Sequence, residues 1–590
     1  MAKKNKDRIG FLLAGILTGF AVTGIGVYIF YNNKKYLEEV KQTTRYDVKA
    51  PTVPSKEGFQ IFIVSSLDKI FKDGKTLLKP NFSELANLSS AKNEYESFQV
   101  VVKSGQEALK SVQPEISDLI NAETGAKIDK GNLTWRVVGY VPTKKPYYPV
   151  KYVGFWPDPL LPFNNMDIQP NVTQPFWVTV YVPKDVVPGN YQGTIIVTFE
   201  GTHSREIPIK LHVYDFILPL ESHLKTAFDF YGHVTHSRYP QEGNESQETY
   251  QSRINKLNDK FIIEMLKYRM NPILNIDPTS ESDLGRVDRY RVFGLNNFAI
   301  GKIGGTFNNN WPKNDREIEN LFDLYRTYGE MLKLNRMLQH TYIYTWDEGE
   351  MGNSWVAKIS SMIHRAYPGL KNMVCYQGIW DPDQDPQWLK DIDIWTFQID
   401  KFNENKIAKL KSAGKEIWMY ISGPGGTGSP NLAIDFDSMD YRIIPWMCWK
   451  YDIKGFLYWC VNWWPLVNPF KSAANTKWEQ NGNGLLFYPG ANGPLDSLRT
   501  EVFRDGMEDY EYFYLLKEGR QSLLSKTFVG EEESKAKGLL RKSEQLLEID
   551  QSIVNSIFEF TKNEKILKDR RNDIAQTIVE INKLLTAPGH

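Results

Sequence analysis

Beyond Pro219 the chain alternates short apolar segments with helix-compatible stretches, and this alternation limits the possible folds more than any other feature of the sequence. The strand candidates are KTAFDFYGHV, NPILNID, FGLNNFAI, HTYIYTWDE, NMVCYQGI, DIDIWTFQI, EIWMYISG and GFLYWCVNWW, with helical patterns over about 250–268 and 316–334 between them. Eight such units over residues 221–520 predict a parallel (β/α)8 TIM-like barrel. A doubly wound sheet would use fewer units and usually a glycine-rich phosphate turn, which the sequence lacks.

The preceding stretch reads differently. FQIFIVSS, SFQVVVKS, TWRVVGYV, FWVTVYV and GTIIVTF are rich in β-branched and aromatic residues, with turn signals such as Pro188-Gly189-Asn190 between them. Residues 58–220 are therefore expected to form an N-terminal antiparallel β-sandwich. After about 520 the sequence turns to helix formers with Leu and Ile at helical spacing, so 521–590 is expected to be a C-terminal helical appendage. The chain is thus read as multidomain, all-β followed by α/β. At its front, residues 10–31 are uncharged and long enough to cross a bilayer, and they end in Val-Tyr-Ile-Phe-Tyr rather than in small residues. The basic segment 1–9 (Lys3, Lys4, Lys6, Arg8) gives the N-terminal side a modest edge under the positive-inside rule. These features predict an uncleaved, single-pass transmembrane signal-anchor, a linker over 32–57 and an extracytoplasmic catalytic domain.

Lys+Arg and Asp+Glu are equal at 71 each, so the chain lacks the basic stripe that nucleic-acid binding requires. Three cysteines, Cys375, Cys448 and Cys460, are too few and odd in number for a disulfide scaffold, and their apolar neighbours suit buried thiols. His233 and His236 lack a third ligand, so no metal and no cofactor is expected.

Chemistry in a parallel barrel sits at the C-terminal ends of the strands, and the candidate TYIYTWDEGE ends there in Asp347-Glu348. Two adjacent acids can divide the work, one staying ionised to stabilise positive charge and the other acting as a general acid. The plainer alternative is a solvated loop, or a helix cap followed by a first-turn acid. Tyr376, Trp395, Trp459, Asn462 and Trp463, at other strand ends, are candidates to line a substrate pocket. The alternative for each is that alternating strand residues simply fill the barrel interior. Arg504 and Glu508, four apart on a predicted helix, suit a structural pair.

Several blocks resemble glycoside hydrolase family 123, also described as the domain-of-unknown-function 4091 group. They include Asn93-Glu94-Tyr95-Glu96-Ser97-Phe98-Gln99, Trp156-Pro157-Asp158-Pro159-Leu160-Leu161, Gly455-Phe456-Leu457-Tyr458-Trp459, and Arg504-Asp505-Gly506-Met507-Glu508-Asp509-Tyr510-Glu511-Tyr512. The resemblance covers about residues 90–517. It implies an exo-acting, retaining β-N-acetylgalactosaminidase-like enzyme that removes terminal N-acetylhexosamine from a glycan or glycolipid. In the substrate-assisted route implied, the sugar's own 2-acetamido oxygen is the nucleophile. Asp347 would steady the acetamido group and Glu348 would serve as general acid and base. Gly349 stands where family members often carry proline. A β-hexosaminidase of other sugar specificity and a non-catalytic surface glycan-binding protein are the alternative readings.

Overall fold

The computed structural model describes residues 46–47, 58–77, 79, 81–200, 204–305, 312–348, 354–376, 390–424 and 428–587. Two sheets form the N-terminal region. One is antiparallel and runs, in spatial order, Phe155–Leu161, Leu133–Pro142, Thr173–Val182, Glu94–Ser104 and Phe59–Ser65. The other runs Met166–Ile168, Leu109–Ile116, Gly189–Thr198, Ser204–Ile217 and Ala86–Lys92. Alternation sends Phe98, Val100, Val102, Phe176, Val178 and Val180 from the first sheet, and Ile195, Val197, Ile207, Ile209 and Leu211 from the second, into one shared core. One pairing departs from the antiparallel expectation: Ser204–Ile217 and Ala86–Lys92 run parallel.

The second region holds a seven-stranded parallel sheet in the order Lys225–Phe228, Gly455–Tyr458, Glu416–Ile421, Ile394–Gln398, Asn372–Tyr376, Thr341–Asp347 and Phe298–Gly305. Among the described residues, regular strands do not form the expected complete eight-stranded barrel. The NPILNID segment lies between the two edge strands but makes only scattered bonds: Phe228 N–H donates to Asn271 (2.8 Å), Ile273 N–H to Phe228 (3.0 Å) and Ile276 N–H to Ala299 (3.2 Å). Pro272 and Pro278 bracket this segment and supply no N–H, which suits an irregular piece better than a ladder strand.

The expectation of a single-pass, membrane-anchored, extracytoplasmic protein is corrected. Among the described residues no helix is long and apolar enough to cross a membrane. The segment 10–31 on which that expectation rested lies outside them, as does most of the expected linker.

The helices Leu498–Leu524, Glu531–Leu547 and Glu564–Leu585 follow the sheet. The last does more than decorate the second region. Its Arg571 reaches Glu94 and Glu96 on a sandwich strand (2.5 Å each) and Asp509 on the long helix (3.2 Å). The long helix lies flush against Ser438–Lys450 because Gly506 has no side chain: a Cβ there would sit 2.5 Å from the Arg442 carbonyl oxygen. Arg442 in turn donates to Asp509 from Nε (2.7 Å) and Nη2 (2.9 Å). Arg504 pairs with Glu501 (2.5 Å) rather than with Glu508, whose carboxylate lies 3.5 Å from Arg269.

Between the two regions sits one fully buried ion pair. Arg499 donates from Nε and Nη2 to the two oxygens of Asp158 (2.8 Å each) and from Nη1 to the carbonyls of Leu432 (2.7 Å) and Gly482 (3.0 Å). Tyr488 donates to the same carboxylate (2.6 Å), and neither charged side chain is exposed. Breaking such a pair from one side strands a charge in a dry interior, so Arg499→Met should lower the unfolding free energy by about 3–5 kcal/mol. Denaturant titration would read this as a lower midpoint, partly recovered in Arg499→Met/Asp158→Asn; an unchanged midpoint for the single variant would contradict the assignment.

Candidate active site

The inner face of the parallel sheet is apolar and aromatic, built from Ala299, Tyr342, Tyr344, Met373, Cys375, Ile394, Trp418, Tyr420 and Leu457 among others. At the C-terminal end of this face stand Asp347 and Glu348. Simple alternation would not put Asp347 there. Tyr342 and Tyr344 face inward, so residues 343, 345 and 347 should face outward. A register shift between Tyr344 and Trp346 inserts an extra residue, and Asp347 returns to the inner side beside Cys375. A matching shift between Ala299 and Lys302 sets Lys302 opposite Tyr344 on the neighbouring strand.

The consequence is a compact polar cluster. The Lys302 ammonium lies 3.0 Å from Asp347 Oδ2 and 3.9 Å from Asp229 Oδ2. Tyr344 donates its hydroxyl to Asp347 Oδ1 (2.8 Å), and Tyr420 donates to Glu348 Oε1 (2.6 Å). Burial, reinforced by the nearby acids, pushes both phenols well above their ordinary range, so they remain donors at neutral pH. Burial opposes the charge on Lys302, but the two carboxylates outweigh it and hold the ammonium above its usual value. Asp229 moves the other way: burial raises it to about 6, with Lys302 offsetting part of the rise.

Glu348 has φ +52°, the left-handed region that costs a residue with a Cβ about 1 kcal/mol or more. Its N–H donates to the Cys375 carbonyl (3.1 Å), which ties the turned backbone to the adjacent strand. The strained residue is the second acid of the pair, and the bond to Cys375 holds it in that conformation.

The other sequence candidates fall in different places. Trp459 and Trp463 lie at the last strand's end with ring centroids 5.8 Å apart, and Tyr231 meets Trp463 edge-on at 5.8 Å. Trp459 donates to Asn483 (2.7 Å), and Gly484 (φ +74°) leaves space that a Cβ would take from the Trp459 ring. Asn462 is fully buried, and its amide is committed to Tyr231: it accepts from the Tyr231 N–H (2.9 Å) and donates to the Tyr231 carbonyl (3.0 Å). It therefore orders the loop that carries Asp229. Tyr376 is the half-buried final residue of its strand, in register with Phe397. Trp395 is 3% exposed and belongs to the buried cluster of Phe397, Ile407 and Leu410, on the opposite face from Ile394, so it is not part of the acid cluster. Gly349 lies outside the described residues.

Sequence reasoning did not single out Lys302, Asp229, Tyr231, Tyr344 or Tyr420. Tyr344 and Tyr420 could have been found by alternation from the aromatic runs TYIYTWD and EIWMYI, whereas Lys302 could not, because its inward setting depends on the register shift. Cys375 lies beneath the cluster, and burial pushes its thiol well above its usual range. His236 bonds Tyr250 (2.8 Å), and among the described residues no group of three or more His, Cys, Asp or Glu is placed to hold a metal ion. A separate cavity of about 1350 Å³ lies between a sandwich edge and the last helix, away from the acid pair. Glu96, Arg442 and Arg571, already joined in ion pairs, form part of its wall.

Residues 305–516 match the family description "Glycoside hydrolase 123, catalytic domain", and 65–199 match "Glycoside hydrolase 123 N-terminal domain". No curated protein sequence matches the chain. Among solved structures, a family 123 glycoside hydrolase from Clostridium perfringens, studied for glycolipid glycan hydrolysis, superposes with a TM-score of 0.65 at 16% identity, covering 89% of this chain and 98% of that one. A family 39 glycoside hydrolase from Bacteroides cellulosilyticus reaches only 0.33 at 10% identity, covering 72% and 82%, too little overlap to bear on the site. Two domain matches in the family's own order, and the same fold over most of the chain, lead to one assignment: the protein belongs to glycoside hydrolase family 123.

Proposed function

We propose that this glycoside hydrolase is a retaining exo-enzyme of the β-N-acetylgalactosaminidase type, acting on terminal 2-acetamido sugars of glycolipid or related glycans. The observation that carries the reading is the separate anchoring of two consecutive acids. Asp347 is held between the Tyr344 hydroxyl and the Lys302 ammonium, while Glu348 is turned away on a left-handed backbone and held by Tyr420. Different settings suit different tasks.

In this reading Asp347 accepts a hydrogen bond from the acetamido N–H and fixes the amide so that its oxygen faces the anomeric carbon. That oxygen forms a bond to the carbon as the glycosidic C–O bond breaks, and Glu348 gives its proton to the departing oxygen. The oxazolinium intermediate carries positive charge, which the Asp347 carboxylate offsets. Glu348 then takes a proton from the water that reopens the ring at the anomeric carbon, so configuration is retained and the acid is regenerated. Trp459 and Trp463 at the last strand's end, and Tyr231 packed edge-on against Trp463, offer apolar ring faces for the sugar. Tyr376 contributes at the rim as a strand-end side chain, and the buried Asn462 acts only by ordering the Tyr231 loop. The glycolipid class is suggested by the Clostridium perfringens relative, whose own substrate is of that kind.

Chromogenic β-GalNAc and β-GlcNAc glycosides test the proposal. Glu348→Gln should lower kcat/KM by about 10²–10⁴-fold, the usual worth of a positioned proton donor. Asp347→Asn should cost about 10²–10³-fold, as for loss of one preorganised electrostatic contact. Wild-type turnover of glycosides lacking the acetamido group would overturn the mechanism. A thiazoline mimic of the intermediate should bind at least about 10²-fold more tightly than substrate, and equal affinity would count against acetamido participation.

A further inference from the structure

Asp229 has no part in the scheme above, yet its place is firmly set. It lies one residue beyond the strand Lys225–Phe228, at the same end of the sheet as Asp347. Its N–H donates to the Tyr458 carbonyl (3.1 Å), and its own carbonyl accepts from Val461 N–H (3.0 Å). Its carboxylate faces the Lys302 ammonium at 3.9 Å and lies near the Tyr231 hydroxyl. That ammonium is also 3.0 Å from Asp347, so one cation lies between two carboxylates on different strand ends. The groups facing Asp229 are Lys302 from the strand Phe298–Gly305, Tyr342 and Asp347 from Thr341–Asp347, Cys460 from beyond Gly455–Tyr458, and Tyr231 of its own loop.

Charge balance gives this arrangement a purpose. Lys302 and Asp347 alone would form a neutral pair, and a positively charged sugar intermediate would gain little from it. With Asp229 ionised the three groups together carry one negative charge. We propose that Asp229 is a positioning residue of the reaction: by sharing the Lys302 ammonium it leaves Asp347 with net negative charge to set against the cationic intermediate. This rests on the substrate-assisted reading above. Burial holds Asp229 at about 6 despite the offsetting pull of Lys302. Below that pH Asp229 becomes neutral, Lys302 is left to Asp347 alone, and the three-group set loses its negative charge.

The test compares kcat and KM across pH for wild type, Asp229→Asn and Asp229→Asn/Lys302→Gln with a chromogenic β-GalNAc glycoside. The single variant should lose about tenfold or more in kcat at neutral pH, with little change in KM, and should lack the acid limb with a midpoint near 6. The double variant restores one net negative charge and should recover much of kcat. A single variant with wild-type kcat and an intact acid limb would overturn the proposal, as would a double variant no better than the single. A purely structural role would lower the active fraction but would neither remove the limb nor be rescued by Lys302→Gln.

Calorimetry with a protonated 2-acetamido iminosugar and its neutral lactam separates this inference from the reading beneath it. Asp229→Asn should weaken only the cation, and equal weakening of both ligands would overturn the inference. Wild-type protein that binds the iminosugar but turns over no 2-acetamido glycoside would instead overturn the catalytic reading.

Discussion

The fold depends on one charge sealed from water. Arg499 has no route to solvent, so its donors must be met inside the protein, and the partners that meet them come from three separate stretches of chain. Asp158 comes from the sandwich, Leu432 and Gly482 from loops beyond the parallel sheet, and Arg499 itself from the first turn of the long helix. Each element must therefore be in place before the guanidinium is satisfied, and the two regions are held to one relative geometry. Around this point lie further buried groups at the same junction: Arg136 contacts Asp496 and Glu501 (2.6 and 2.5 Å), and Tyr268 donates to Glu501 (2.7 Å). Buried polar contacts add little net stability over apolar packing, but they tolerate few alternative arrangements.

That rigidity matters at the acid cluster, where small displacements would undo the chemistry. Asp347, Glu348 and Lys302 sit on neighbouring strand ends whose registers are each shifted once, and Asp229 reaches Lys302 from the opposite edge strand across the irregular segment 271–277. A regular eighth strand in that place would alter the spacing between the two edges. The departure from an ideal barrel thus lies between the two edge strands that carry Asp229 and Lys302.

Much of this was legible in the sequence, for identifiable reasons. Long periodic segments such as 250–268 and 316–334 became the helices Gln247–Lys267 and Asp315–Leu334, since an apolar stripe at helical spacing leaves few alternatives. The Asp347-Glu348 pair stands out in the sequence because it ends a strand candidate and sits among family-like blocks. Its inward aim was not readable, because alternation places residue 347 on the outer face and only the register shift reverses it. Lys302 was hidden for the same reason, within FAIGKIGG, a segment too rich in glycine to show a face. Trp395 shows the opposite failure: strand-end position and aromatic character suggested a sugar platform, yet its parity sends it into the core. Arg504 and Glu508 had the right spacing to pair, but Glu501 and Arg269 offered each a nearer partner in the tertiary structure.

In the proposed reaction the substrate's own amide oxygen is the nucleophile, with Asp347 and Glu348 serving it. This role is tested most directly by a series of aryl β-glycosides whose 2-acyl group is acetyl, fluoroacetyl, difluoroacetyl or trifluoroacetyl, with kcat/KM measured for each. Fluorine withdraws electron density from the amide oxygen while changing size little. A steep fall in kcat/KM along the series is expected, because the attacking atom itself is being weakened. A flat series would contradict it and would assign the nucleophile to the protein or to water.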